Sequence, residues 1–187
     1  MRTATIVSAL VGLSLTSLIA GTSPALAEEF VCTGTVGAVT LDNVLVPAAR
    51  TCTLNGTRIQ GSIVVKTGAT LSASAVRVNG NIQAEGARAV FLNPASVVGG
   101  SVQLEQGGSA RVDRVHIVGD LQLESNRGFL SAMTNRVGGN VQIFQNTGGV
   151  TLLNNRIAQN LQCKANRPAP TGSGNRAGSK EDQCAAL

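Results

Sequence analysis

The chain has 187 residues and a formal net charge of +5, with only 13% charged and 2% aromatic residues. Trp and Tyr are absent, which argues against the exposed aromatic platforms on which single-stranded nucleic acids and sugars stack. Fifteen Lys and Arg against ten Asp and Glu is a mild basic bias, too small to mark a nucleic-acid-binding domain.

The N-terminus has the form of an export signal. Arg2 is the only charge before an apolar stretch from Ile6 to Ala20, and Pro24 then precedes Ala25-Leu26-Ala27, a small-x-small cleavage site. The pattern predicts a signal peptide over 1–27 and a mature chain from Glu28. The stretch is broken by Ser8, Gly12, Ser14, Thr16 and Ser17, and is short of the roughly 20 apolar residues that span a membrane. No second stretch of spanning length follows, no cysteine stands at the cleavage site, and the C-terminal Cys184-Ala185-Ala186-Leu187 is no anchor. The expectation is a freely secreted, extracellular protein.

Residues 28–41 are expected to form an N-terminal cap. Beyond them a tripeptide keeps returning: Gly61-Ser62-Ile63, Gly80-Asn81-Ile82, Gly100-Ser101-Val102, Gly119-Asp120-Leu121 and Gly139-Asn140-Val141. Gln159-Asn160-Leu161 closes the series. Steps of 19 and 20 residues mean a solenoid, in which each coil buries its apolar side only by stacking on its neighbours.

Within one coil, apolar residues occur two and four positions after the glycine, as in Val102 and Leu104, with Gln103 between them. A period of two marks a strand with one face inside. A second inward column precedes the glycine by two positions, from Ile59 through Ile117 to Ile157. A third lies mid-coil: Cys52 and Leu54, Leu71 and Ala73, Val90 and Leu92, Ala110 and Val112, Phe129, Val150 and Leu152. Three short strands per coil predict an all-β fold, a single-stranded parallel β-helix of about six coils over 42–163. The coil length exceeds three hexapeptides and favours the right-handed form. The repeating glycines suit corners where a side chain would clash or φ must be positive. The segment 164–187, with Pro168, Pro170, Gly172, Gly174 and Gly178, is expected to be a capping loop.

Four cysteines in an exported chain predict two disulfides. Cys32 and Cys52 are 20 apart and Cys163 and Cys184 are 21 apart, about one coil each. This favours Cys32–Cys52 and Cys163–Cys184, one clamp at each end of the solenoid. Two distant cysteine pairs without CxxC spacing, with a single His, make a poor zinc site.

Stacked coils turn outward columns into ladders with a spacing of about 4.8 Å. Gln83, Gln103, Gln122, Gln142 and Gln162 form one, suited to amide hydrogen bonding. Arg58, Arg77, His116, Arg136 and Arg156 form another, broken at Val97. That basic row could hold a linear polyanion such as a teichoic acid, an acidic polysaccharide or DNA, or could simply cover apolar surface with its stems. Glu85, Glu105 and Glu124 form a third row, flanked by Lys66 and Lys164. Calcium favours such oxygens, but no calcium-loop motif accompanies them, so no metal or other cofactor is expected.

Nothing in the sequence builds an active site. The four Asp are scattered, coil length barely varies, and no GxSxG, HExxH or P-loop occurs. Asp113, Arg114 and His116 are merely close in sequence. A non-catalytic protein is expected, with an anionic cell-wall polymer or its own copies as partner; a glycan-active β-helix enzyme is the less favoured alternative and rests on fold class only.

Gly139-Asn140-Val141-Gln142, Asn154-Asn155-Arg156-Ile157, Asn160-Leu161-Gln162-Cys163-Lys164 and Lys180-Glu181-Asp182-Gln183-Cys184 resemble a group of uncharacterised secreted bacterial repeat proteins. More loosely, the coil pattern is similar to the bactofilins, cytoskeletal β-helices. That likeness implies a β-helix and, as the alternative function, a self-assembling extracellular scaffold.

Overall fold

A computed structural model describes Glu28–Leu187; the expected signal peptide lies outside the described residues. The described residues wind as a parallel β-solenoid with three sheets of nine, eight and seven strands, and no helix occurs among them. The first sheet runs from Glu29–Val31 and Asn43–Val46 through Ile82–Glu85, Val102–Glu105 and Leu121–Glu124 to Asn160–Lys164 and Ser179–Asp182. The second runs from Thr35–Val36 through Ser109–Asp113 and Leu130–Met133 to Thr171–Ser173. The third is built of two-residue strands, from Thr40–Leu41 to Arg156–Ile157. Every strand pairs with its equivalent one coil away, so register repeats down the stack, as in Ile63↔Ile82↔Val102↔Leu121.

The three inward columns fill one continuous core. Ile82, Leu92, Ile117, Leu121, Ile143 and Leu152 are among its fully buried side chains. One position departs from the expectation. Phe129 points outward and is 56% exposed, while Leu130 and Ala132 take the inward places, in register with Ala110 and Val112. Leu130 and Phe129 are adjacent apolar residues, and periodicity alone does not say which of two neighbours faces inward.

Both ends also differ from the expectation. Residues 28–41 form a coil instead of a separate cap: Glu29–Val31, Thr35–Val36 and Thr40–Leu41 pair in parallel with the next coil. The segment after Cys163 is likewise a coil, with Thr171–Ser173 on Val150–Leu153 and Ser179–Asp182 on Asn160–Lys164. The solenoid therefore has about eight turns rather than six. The end strands pair the backbone groups of the coil they cover and carry the open sheet edge themselves.

Cys32 is bonded to Cys52 and Cys163 to Cys184, with Cα–Cα distances of 5.5 and 5.3 Å. All four are buried at the two ends of the core. Cys32 and Cys52 do not share a column. Thr53 stacks on Thr35, so the first bridge crosses a corner of the short opening coil.

The repeating tripeptide has a steric cause. The polar side chain of its second residue hydrogen-bonds the equivalent backbone N–H one coil on: Asn43 Oδ1 accepts from Ser62 N–H at 2.9 Å, and Asn81 Oδ1 from Ser101 N–H at 2.8 Å. That side chain occupies the space beside the next glycine. A Cβ on Gly61 would collide with Asn43 Oδ1, one on Gly100 with Asn81 Oδ1, and one on Gly139 with Asp120 Oδ1. The glycines are thus required by close approach, and not by φ.

At the other two corners, a residue in the left-handed region precedes a buried one. Ser125, Gln145 and Ala165 (φ 55, 56 and 57°) precede Asn126, Asn146 and Asn166. Thr134 and Asn154 (φ 56 and 55°) precede Asn135 and Asn155. Left-handed backbone is costly for residues other than Gly, most of all when β-branched. The asparagines offset that cost with two internal amide ladders. Asn146 Oδ1 accepts from Asn126 N–H at 3.0 Å, while its Nδ2 donates to Leu123 O at 2.8 Å and to Asn166 Oδ1 at 2.9 Å. Asn135, Asn155 and Asn175 repeat the arrangement.

Candidate functional site

The third sheet presents the basic row. In its strands from Arg58–Ile59 onward the second side chain is buried, so the first points outward. Arg58, Arg77, Val97, His116, Arg136 and Arg156 stand in one in-register column. An isolated parallel bridge continues it to Arg176, which is also exposed. Reading the tail as a loop missed Arg176. The signal was present: Asn175-Arg176-Ala177 repeats the pattern of Asn135-Arg136-Val137 and Asn155-Arg156-Ile157 at the same step of 20.

No strand of this sheet contains Asp or Glu. Among the described residues the one ion pair joins Arg114 to Asp113, at 3.2 Å on another part of the surface. The column arginines therefore carry uncompensated charge. A shallow groove of about 510 Å³ runs beside them. His116, Arg136, Arg156 and Arg176 line one side, and Val118, Gly138 and Ala158 the other. Val118 is 53% exposed. This arrangement supplies a line of guanidinium donors beside a small apolar ledge, suited to holding an anion-bearing chain. Guanidinium groups engage carboxylate or phosphate through paired N–H donors.

The first sheet carries the other two rows. Gln83, Gln103, Gln122, Gln142 and Gln162 form an unbroken amide ladder with steps of 3.0, 3.0, 3.0 and 3.2 Å. Gln162 Nε2 then donates to Glu181 Oε2 at 2.9 Å. Glu181 also accepts from Ser179 Oγ at 2.6 Å. These two bonds, that from Ser179 foremost, hold its carboxyl below the usual glutamate range. The ladder uses up amide donors and acceptors along its length, which is a structural use of the row.

Glu85, Glu105 and Glu124 stand in register beside the glutamines, and the column continues through Phe144 to Lys164. Lys66 lies with Glu85 and Glu105 around a hollow of about 430 Å³. Among the described residues no group of three or more His, Cys, Asp or Glu is placed to hold a metal ion. Asp113 ends a strand of the second sheet and engages Arg114, whereas His116 belongs to the basic row of the third. A further hollow, about 630 Å³, lies on the second sheet between Phe91, Phe129 and Met133. Among the described residues no helix is long and apolar enough to cross a membrane.

Comparison with known proteins adds no relative: no family model, no curated protein and no solved structure matches the chain. The β-solenoid itself is shown by the strand pairing. The likeness to secreted repeat proteins and to bactofilins has no match behind it.

Proposed function

We propose that this protein is a secreted, non-catalytic solenoid that holds a linear anionic polymer of the cell envelope along the third sheet. One observation carries the reading: Arg58, Arg77, His116, Arg136, Arg156 and Arg176 stand exposed in a single column, interrupted at Val97, on a face whose strands contain no acid. Uncompensated arginines in a row raise the local concentration of polyanion and steer it along the column. The two buried disulfides suit an oxidising compartment outside the cell.

The test uses an anionic probe, a polyglycerol phosphate or a polyuronate, titrated against the protein over a range of salt. Each phosphate neutralised on a flexible single-stranded nucleic acid contributes about −0.7 to the slope of log affinity against log salt, and this value is taken as the guide. The triple variant Arg136→Glu, Arg156→Glu, Arg176→Glu should lose salt-sensitive binding, and the corresponding Gln variant should flatten the slope by about 2. Binding unchanged in both variants rejects the arginine row as the site.

A further inference from the structure

Acids are confined to some faces of this solenoid. Strands of the first sheet carry Glu29, Glu85, Glu105, Glu124, Glu181 and Asp182, with Lys164 and Lys180 toward the C-terminal end, whereas strands of the third carry Arg and His and no acid. Each face contains one uninterrupted run of like charge over three successive coils. Glu85, Glu105 and Glu124 form the acidic run and Arg136, Arg156 and Arg176 the basic one. None of the six is in an ion pair within the described residues.

The two runs share a property that a foreign polymer does not have. Both are generated by the stacking of one solenoid, so both repeat at the same rise of about 4.8 Å. Laid side by side, an acidic run and a basic run of this chain stay in step along their whole length. We propose that the Glu85–Glu105–Glu124 row of one molecule docks laterally on the Arg136–Arg156–Arg176 row of a second copy. Opposite charge supplies the attraction, the common rise supplies the register, and like-on-like pairing of the same faces is repelled.

The contact is heterologous, because the two surfaces are different. Every molecule keeps a free acidic row after its basic row is filled, and the reverse. Such contacts make a ring where the rotation closes and an open assembly where it does not; the axial offset between the two runs prevents closure, and the product is a laterally growing ribbon. Each glutamate of the acidic run precedes its counterpart in the basic run by 51 or 52 residues, about two and a half coils, so parallel neighbours in the ribbon are staggered. The inference goes beyond the anionic-polymer reading. It uses the same arginines, so polymer and second copy compete for them.

The experiment is mass measurement by sedimentation and light scattering, at about 0.01 M salt, where charges act over roughly 30 Å, and at about 1 M, where they act over roughly 3 Å. The native protein should exceed the mass of one chain at low salt and return to it at high salt. Two neutralised variants sharpen the test. One is Glu85→Gln, Glu105→Gln, Glu124→Gln, and the other is Arg136→Gln, Arg156→Gln, Arg176→Gln. Each retains one row, so each should remain a single chain, and their mixture should form a one-to-one pair and stop at twice the chain mass. Circular dichroism establishes that both variants are folded, and all six substitutions lie on outward-facing positions. A native protein that stays monomeric at low salt overturns the proposal, and so does a mixture that does not pair. The anionic-polymer reading is tested separately by the glutamate-neutralised variant, which keeps every arginine. It should bind polyglycerol phosphate as the native protein does. If it pairs with its complement yet ignores the probe, the polymer reading fails and the lateral contact stands.

Discussion

Replacing Asn146 by Ala should damage this fold more than any exposed substitution on the ladders. Its side chain is fully buried and makes four hydrogen bonds. Oδ1 accepts from Asn126 N–H (3.0 Å) and Asn126 Nδ2 (3.2 Å), and Nδ2 donates to Leu123 O (2.8 Å) and Asn166 Oδ1 (2.9 Å). Asn126 Nδ2 keeps Leu104 O, and Asn166 Oδ1 keeps the Asn146 backbone N–H. Asn126 N–H loses its ladder acceptor in the interior. A net bond contributes about 0.5–1.5 kcal/mol, and a buried group left unpaired costs about 1–3 kcal/mol. The sum, discounted for relaxation into the vacated space, is about 3–5 kcal/mol. For a chain of this size that lowers the melting temperature by roughly 10 °C, at about 2–4 °C per kcal/mol. Gln122→Ala is the control: it removes two ladder bonds of 3.0 Å from a half-buried outer row, where water replaces the partners, and should cost about 1 kcal/mol or less. Both are read by thermal and urea unfolding of the oxidised protein. Equal effects for Asn146→Ala and Gln122→Ala would refute the argument that the internal amides, and not the outer ones, hold the corners.

Gly100→Ala should cost about 1–3 kcal/mol, because the added methyl meets Asn81 Oδ1 and Gly80 O, whereas Gly37→Ala should be near neutral in the open space around it. Urea midpoints of the two variants check this, and equal midpoints would remove the steric account of the tripeptide. Replacing both Cys163 and Cys184 by Ser should cost about 2–4 kcal/mol, because the bridge closes a loop about one coil long. Hydrogen exchange should place the loss in the last coil, and exchange raised evenly over all coils would contradict a local clamp. Glu181 is held below the ordinary glutamate value of 4.5 by Ser179 and Gln162, so its contribution is present above the unfolded value and disappears as pH falls through the lower folded one. Amide exchange over Ser179–Asp182, taken relative to the intrinsic exchange rate at each pH, should therefore accelerate on acidification below about 4.5. Glu181→Gln should remove that acid-dependent part of the acceleration, and its persistence would assign it to another group.

The architecture was legible because inward columns recur with a period of two inside a strand and about 20 along the chain, and few folds satisfy both. The disulfide pairing and the glutamine row followed from the same arithmetic. Three features escaped for physical reasons. Phe129 and Leu130 are both apolar, and only the corner before them decides which faces the core. The end coils lack the glycine tripeptide, yet backbone pairing continues the wind without it, and Arg176 was missed with them. The internal asparagines were hidden because their columns change identity along the stack. The positions of Asn126 and Asn146 are held by Ala87 and Gly107 in earlier coils, and those of Asn135 and Asn155 by Val76, Ser96 and Val115. A ladder needs the same amide on successive coils, so the signal exists only from Asn126 onward.

That change of identity explains how the outer faces are free to differ. Wherever a corner is satisfied from within, by the internal asparagines or by the tripeptide side chains, the outward residues of the flanking strands carry no obligation to the fold. The tripeptide corner satisfies itself through Asn43, Ser62, Asn81, Ser101, Asp120 and Asn140, each holding the next coil's backbone N–H. Among the described residues the side chains of the arginine column make no hydrogen bond or ion pair that the coil requires. Its charges sit on two-residue strands whose register is fixed by the buried partners Ile59, Val78, Val98, Ile117, Val137 and Ile157. A row that stability does not require, on a face without acids, is a surface whose composition folding leaves open. The glutamine row differs in kind, because its amides bond to one another and end on Glu181. Of the three outward ladders, the glutamines are therefore spent on the fold, whereas the arginines, and the glutamates that likewise make no ion pair among the described residues, are left over for a partner.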